Sequence, residues 1–114
     1  MVYTAQFEFG DIKDKAVLDL GCGTGVLGIA ASILGAGAVV GVDVSEVGLA
    51  AAAENVSEMD VDMDLVRCDV ARNFCVGERY DTVLMNPPFG TRRPGMDLVF
   101  VERALEVCLN FKLN

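Results

Sequence analysis

The stretch Met85-Asn86-Pro87-Pro88-Phe89-Gly90 closes an apolar run, Asp81-Thr82-Val83-Leu84. Two consecutive prolines can neither donate to a β ladder nor continue a helix, so a strand must stop there, with an amide and an aromatic ring held stiffly at its end. A second unusual loop, Gly21-Cys22-Gly23-Thr24-Gly25, follows another apolar run, Ala16 to Leu20. Glycines there allow a sharp turn and a close approach of helix-start N–H groups to a ligand. Three carboxylates, Asp19, Asp43 and Asp69, each fall at or just past the end of an apolar segment.

The glycine loop lacks the lysine of a phosphate-binding P-loop. Gly23-Thr24-Gly25-Val26-Leu27-Gly28 does fit the dinucleotide spacing, with Asp43 twenty positions beyond Gly23. Asp19, immediately before the glycines, would however repel a pyrophosphate. A cationic, phosphate-free nucleoside suits that carboxylate better, and S-adenosylmethionine, with its sulfonium and ammonium, is such a ligand. Asp43 can accept both ribose hydroxyls, Val44 offers an apolar face to the adenine, and Asp69 can accept from the adenine amino group. The plain alternatives are that Asp43 caps the following helix and that Asp69 is a turn residue.

The elements that must position these groups alternate regularly. Ala16 to Leu20 reads as a buried strand, Val26 to Leu34 as a helix stopped by Gly35, and Ala38 to Val42 as a second strand. Ser45 caps a helix running to about Ser57, which Gly48 weakens. Val61 to Cys68 alternates like a half-covered edge strand, Tyr80 to Met85 is a fourth strand, and Leu98 to Leu109 is an amphipathic helix. Strand and helix in alternation mean right-handed crossovers and a parallel α/β sheet, whose ligands bind beyond the carboxyl ends of the strands. All the unusual residues collect at those ends.

Composition narrows the rest. The 114 residues are 53% hydrophobic without a run long enough to span a bilayer, which fits one domain and no membrane partner. A net charge of -8 has the wrong sign for holding a nucleic-acid backbone unaided. The absence of histidine removes Ser-His and Cys-His hydrolases, and leaves Cys22, Cys68, Cys75 and Cys108, without a C-x-x-C pair, no zinc site to complete. With nothing resembling a signal peptide, the thiols are expected to be reduced and mostly buried.

"VLDLGCGTG", the Asp43 strand end and "NPPF" together resemble the class I S-adenosylmethionine-dependent methyltransferases acting on an amino or amide nitrogen. The longer runs "GDIKDKAVLDLGCGTGVLGIAASILGAGAVVGVD" and "DTVLMNPPFGTRRPGMDLVFVERAL" are similar to the methyltransferase-like protein five family of ribosomal-RNA adenine N6-methyltransferases, from about Tyr3 to Leu109. The resemblance implies a Rossmann-like three-layer sandwich and an S-adenosylmethionine cofactor held by Asp19, Gly21, Gly23, Gly25, Asp43, Val44, Asp69 and Asn86. It also assigns catalytic roles. The Asn86 side-chain carbonyl and the Pro87 backbone carbonyl each accept one N–H of the target amine, Pro88 stiffens the turn, and Phe89 stacks on a flipped base. Arg92 and Arg93 then either grip RNA phosphate or are ordinary solvated charge.

Against the family pattern, residues 1–114 make a single methyltransferase domain incomplete at both ends, with strands in the order 3-2-1-4 and no C-terminal strands. The fourth strand is then expected to be an exposed apolar edge, with Val83, Leu84 and Met85 poorly covered. The resemblance further implies ribosomal RNA as substrate, a small zinc-binding activator subunit at the third-strand edge (Val61 to Cys68), and an intracellular location in nucleus or cytoplasm. Two alternatives remain: a noncatalytic form that only binds cofactor or activator, and an NPPF enzyme acting on glutamine, guanine or DNA adenine.

Overall fold

The computed structural model describes residues 9–69, 80–85 and 102. A 3-10 turn, Phe9–Asp11, precedes β1 (Ala16–Leu20), α1 (Val26–Ile33), β2 (Ala38–Asp43), α2 (Glu46–Met59), β3 (Asp64–Arg67) and β4 (Thr82–Met85). The strands form one parallel sheet in the order β3-β2-β1-β4. Two right-handed crossovers step the chain from β1 to β2 to β3 and so place α1 and α2 on the same face. The chain then returns to the far side of β1 to lay down β4. Strand order thus reverses beside β1, which opens a crevice at the carboxyl ends of β1 and its neighbours.

β1 is apolar along nearly its whole length because both of its faces are covered. Leu18 and Leu20 point to one side and pack with Val42, Cys68, Tyr80, Val83 and Met85. Val17 points to the other and packs with Ile12, Ala31, Val39 and Leu84. Turn chemistry ends the helices as expected. Gly35, at φ 96°, closes α1 with its own N–H donating to Ser32 O at 3.1 Å and that of Ala36 to Ala31 O at 3.1 Å, a Schellman motif. Ser45 Oγ caps α2 by accepting the Gly48 N–H at 3.0 Å.

β3 begins at Asp64 rather than Val61, because its ladder with β2 starts only at Val40. The residues before it serve packing instead: Asp62 O accepts the Ser32 hydroxyl, and the Met63 side chain lies over Gly28 and Gly41. β4 is not poorly covered. Val83, Leu84 and Met85 are at most 5% exposed, since an outer strand can lack a hydrogen-bonding neighbour on one side while both its faces are packed. Asp81 anchors its start, its N–H donating to Ala16 O while its Oδ2 accepts the Ala16 N–H. Cys68 is buried and disulfide-bonded, against the expectation of reduced thiols, while Cys22 is free. Spacing along a chain does not reveal which cysteine Cβ atoms meet. The helix expected from Leu98 to Leu109 lies outside the described residues except for Glu102, which is helical and exposed.

Candidate functional site

At the carboxyl end of β1 the chain turns through three glycines in the left-handed region, Gly21 (φ 76°), Gly23 (φ 52°) and Gly25 (φ 86°), a path that strains any other residue. The N–H groups of Gly21 and Cys22 both donate to Val42 O, at 2.8 and 2.9 Å, hooking the loop to the end of β2. Gly25 N–H then closes a turn onto Cys22 O at 2.8 Å, and α1 starts with no side-chain cap.

Carboxylates from two strands reach this loop. Asp43, on the last residue of β2, accepts the Gly23 N–H on Oδ2 at 2.7 Å and the Ser45 N–H on Oδ1 at 2.9 Å. It therefore holds the glycine loop and the start of the next helix together, which realises the plain capping role without using up the carboxylate. Each oxygen retains a further acceptor direction, and Asp43 stays partly exposed.

Asp19 lies beneath the loop rather than on its surface. Only 1% exposed, it accepts the Gly28 N–H on Oδ2 at 3.0 Å, while Oδ1 is buried with no hydrogen-bond partner among the described residues. Burial pushes its carboxyl up from 3.8 to about 6, the Gly28 N–H opposes the rise, and the charge of Asp43 adds to it. A helix start already facing a carboxylate is a poor place for a pyrophosphate. The Cys22 thiol, buried between these acids, is pushed up to about 12 by desolvation first and then by Asp19 and Asp43. It stays protonated at neutral pH and is no nucleophile.

Val44, just past β2, is 55% exposed and presents its apolar side chain beside Asp43. Asp69, two residues past β3, is partly buried at the same end of the sheet. Pairing puts Leu20 opposite both Val42 and Met85, so the chain leaves β4 toward Asn86 at the same edge as the glycine loop. Asn86, Pro87, Pro88 and Phe89 themselves lie outside the described residues. The structure thus gathers Asp19, Gly21, Gly23, Gly25, Asp43 and Val44 around one loop.

Three residues not singled out from the sequence also support it. Asn55 Nδ2 donates to Thr24 O at 3.0 Å. Arg67 Nε donates to Val44 O at 3.1 Å, and its Nη1 meets Glu46 Oε1 at 2.7 Å. Met63 fills the slot between Gly28 and Gly41. A polar residue in mid-helix facing a small-residue stripe was the one signal available for Asn55. Nothing local marks the other two.

A parallel 3-2-1-4 sheet with this loop at its switch point defines the fold of the class I S-adenosylmethionine-dependent methyltransferases. The magnesium protoporphyrin IX methyltransferase of Synechocystis, crystallised with S-adenosylmethionine, superposes with a TM-score of 0.72 at 25% identity, covering 88% of this chain and 48% of that one. A crystal structure from Pyrococcus horikoshii does so with a TM-score of 0.77 at 39% identity, over 87% and 47%. More particularly, the chain belongs to the methyltransferase small domain family, whose pattern matches residues 5–108.

Among its relatives, the rRNA N(6)-adenosine-methyltransferase METTL5 of Danio rerio is 44% identical over 110 residues, 94% of this chain and 53% of that protein. The Drosophila melanogaster protein of the same name is 42% identical over 113 residues, again 94% of this chain and 52% of its own length. The chain spans about half the length of these relatives.

Proposed function

We propose that this chain is the cofactor-binding and catalytic part of an S-adenosylmethionine-dependent methyltransferase acting on the exocyclic N6 of adenosine in ribosomal RNA. The observation that carries the cofactor half is the pair of carboxylates on the glycine loop. Asp43 has further acceptor directions at the loop surface, and Asp19 leaves one buried oxygen beneath it without a partner among the described residues. That arrangement fits a cationic nucleoside and disfavours a phosphate. Asp43 would hold the ribose hydroxyls, Val44 the adenine face and Asp69 the adenine amino group. The loop backbone would lie against the polar end, and Asp19 would act from below through its charge. When bound, S-adenosylmethionine supplies an electrophilic methyl on a sulfonium.

The relatives of Danio rerio and Drosophila melanogaster support the choice of substrate. An aromatic amine is a weak nucleophile because its lone pair is delocalised. Asn86 and Pro87, following directly on the buried end of β4, would supply two carbonyl acceptors that turn the lone pair outward, and Phe89 would stack on the base. No residue need act as general base before transfer. The acidic chain needs positive surface from elsewhere, and we assign part of that assistance to a small zinc-binding activator subunit adding a strand beside β3. Acting on ribosomal RNA, the protein would work inside the cell, in nucleus or cytoplasm.

The test is methyl transfer to ribosomal RNA with and without such a subunit, read by nucleoside mass spectrometry. The expected product is N6-methyladenosine, lost in Asn86→Ala while S-adenosylhomocysteine still binds. A methylated guanine or glutamine would overturn the substrate. Binding without transfer, even with the partner present, would leave a noncatalytic cofactor-binding chain.

A further inference from the structure

We propose that Asn55 is a positioning residue of the cofactor site: from α2 it holds the glycine loop in shape through the Thr24 carbonyl. The inference rests on reading that loop as the S-adenosylmethionine site. A loop with glycines at Gly21, Gly23 and Gly25 has much backbone freedom to lose, and the N-cap of α1, Gly25, has no side chain to restrain it. Its shape has to be imposed by groups outside it. Asp43 restrains the Gly23 N–H and Asp19 restrains the Gly28 N–H, both from the sheet. Between these two points, the Thr24 carbonyl accepts from Asn55 Nδ2 at 3.0 Å, across 31 residues of sequence.

The rest of that face of α2 is shaped for the same contact. Gly48, Ala52 and Asn55 are spaced by four and three residues and so lie in one row along the helix. Ala52 is fully buried, and a Cβ added to Gly25 would come within 3.2 Å of its Cβ. A Cβ added to Gly48 would lie 3.6 Å from Gly23 O, a further sign of how closely the helix approaches the loop. Glycine and asparagine are both poor helix formers, so their presence here runs against local preference and is offset by the tertiary contact. The chemistry at position 55 is specific. A carbonyl only accepts, so the amide nitrogen must face Thr24, and an aspartate of the same size would set one oxygen against another beside two carboxylates already at the loop.

The experiment measures S-adenosylhomocysteine affinity by calorimetry for the 114-residue chain and for Asn55→Asp, Asn55→Ala and Ser32→Ala. Ser32 Oγ donates to Asp62 O at 3.2 Å, a helix-to-carbonyl bond of similar kind but away from the loop. Denaturation without ligand is followed in parallel. Both Asn55 variants should weaken binding at least fivefold, with unfolding midpoints shifted no further than that of Ser32→Ala, whose affinity stays at wild type. Affinities within twofold of wild type in both Asn55 variants, or an equal loss in Ser32→Ala, would overturn the inference alone. Failure of the wild-type chain to bind would overturn the cofactor reading and this inference with it.

Discussion

Asp19 Oδ2 accepts the backbone N–H of Gly28 at 3.0 Å, tying the penultimate residue of β1 to the first turn of α1 beneath the glycine loop. The same carboxylate leaves Oδ1 buried without a partner among the described residues. One side chain therefore braces the loop and keeps a negative charge under it, at the expense of burying that charge.

The cost has a definite pH window. The Asp19 carboxyl is raised by burial from 3.8 to about 6, so between these values the folded chain binds more protons than the unfolded one. Stability consequently falls as pH rises from about 4 to about 6 and stays lower above that. The full effect is on the order of 3 kcal/mol, taken from the shift at 1.36 kcal/mol per unit. Denaturant unfolding of wild type and Asp19→Asn at a series of pH values should show the variant gaining on the wild type through this window. S-adenosylhomocysteine affinity at pH 7 should fall in the same variant. A constant stability difference between pH 4 and pH 7 would contradict the assignment.

The tip of Met63 packs into the space left by two distant glycines, Gly28 and Gly41. A Cβ on Gly41 would come within 2.5 Å of Met63 Cε and 3.1 Å of both Cys22 Sγ and Leu65 Cδ2. Overpacking of this kind costs roughly 1–3 kcal/mol, so Gly41→Ala should be destabilised by that much. Because the nearest atom belongs to the flexible tip of Met63, the penalty should shrink when Met63→Ala is already present. A double-mutant cycle in denaturant measures the coupling, and strictly additive effects would show that Met63 is not the obstacle.

Arg67 ties the turn after β2 to the end of β3 through Val44 O and Glu46. Both partners of the ion pair are largely exposed, 59% and 75%, so the pair itself should contribute no more than about 0.5 kcal/mol, less at high salt. Arg67→Ala is therefore expected to leave the unfolding midpoint almost unchanged while weakening S-adenosylhomocysteine binding severalfold, because Val44 loses its brace. Calorimetry beside denaturation, each at low and high salt, checks both halves. A large loss of stability with intact binding would reverse the account.

The residues that speak through local chemistry were legible in the chain. β1 matches its apolar run from Ala16 to Leu20, Gly35 stops α1, Ser45 caps α2, and the three glycines after β1 mark a turn that other residues could not follow. Boundaries that depend on a neighbour were not legible. β3 starts where β2 offers a partner, and β4 is buried because Ile12 and Val17 cover one face while Leu18, Leu20 and Tyr80 pack against the other. The disulfide at Cys68 escaped for the same reason.

By itself, then, the sequence determined the alternation of strand and helix, the glycine loop and the acids at the strand ends, since periodicity, capping and left-handed φ are properties of short segments. Only the tertiary structure decided what those acids do. It sank Asp19 below the loop with a raised pKa, turned Asp43 into a bridge between Gly23 and Ser45, and brought Asn55 to Thr24 from 31 residues away. Such distances and degrees of burial arise from how crossovers stack helices on a sheet, and no short window of residues contains them.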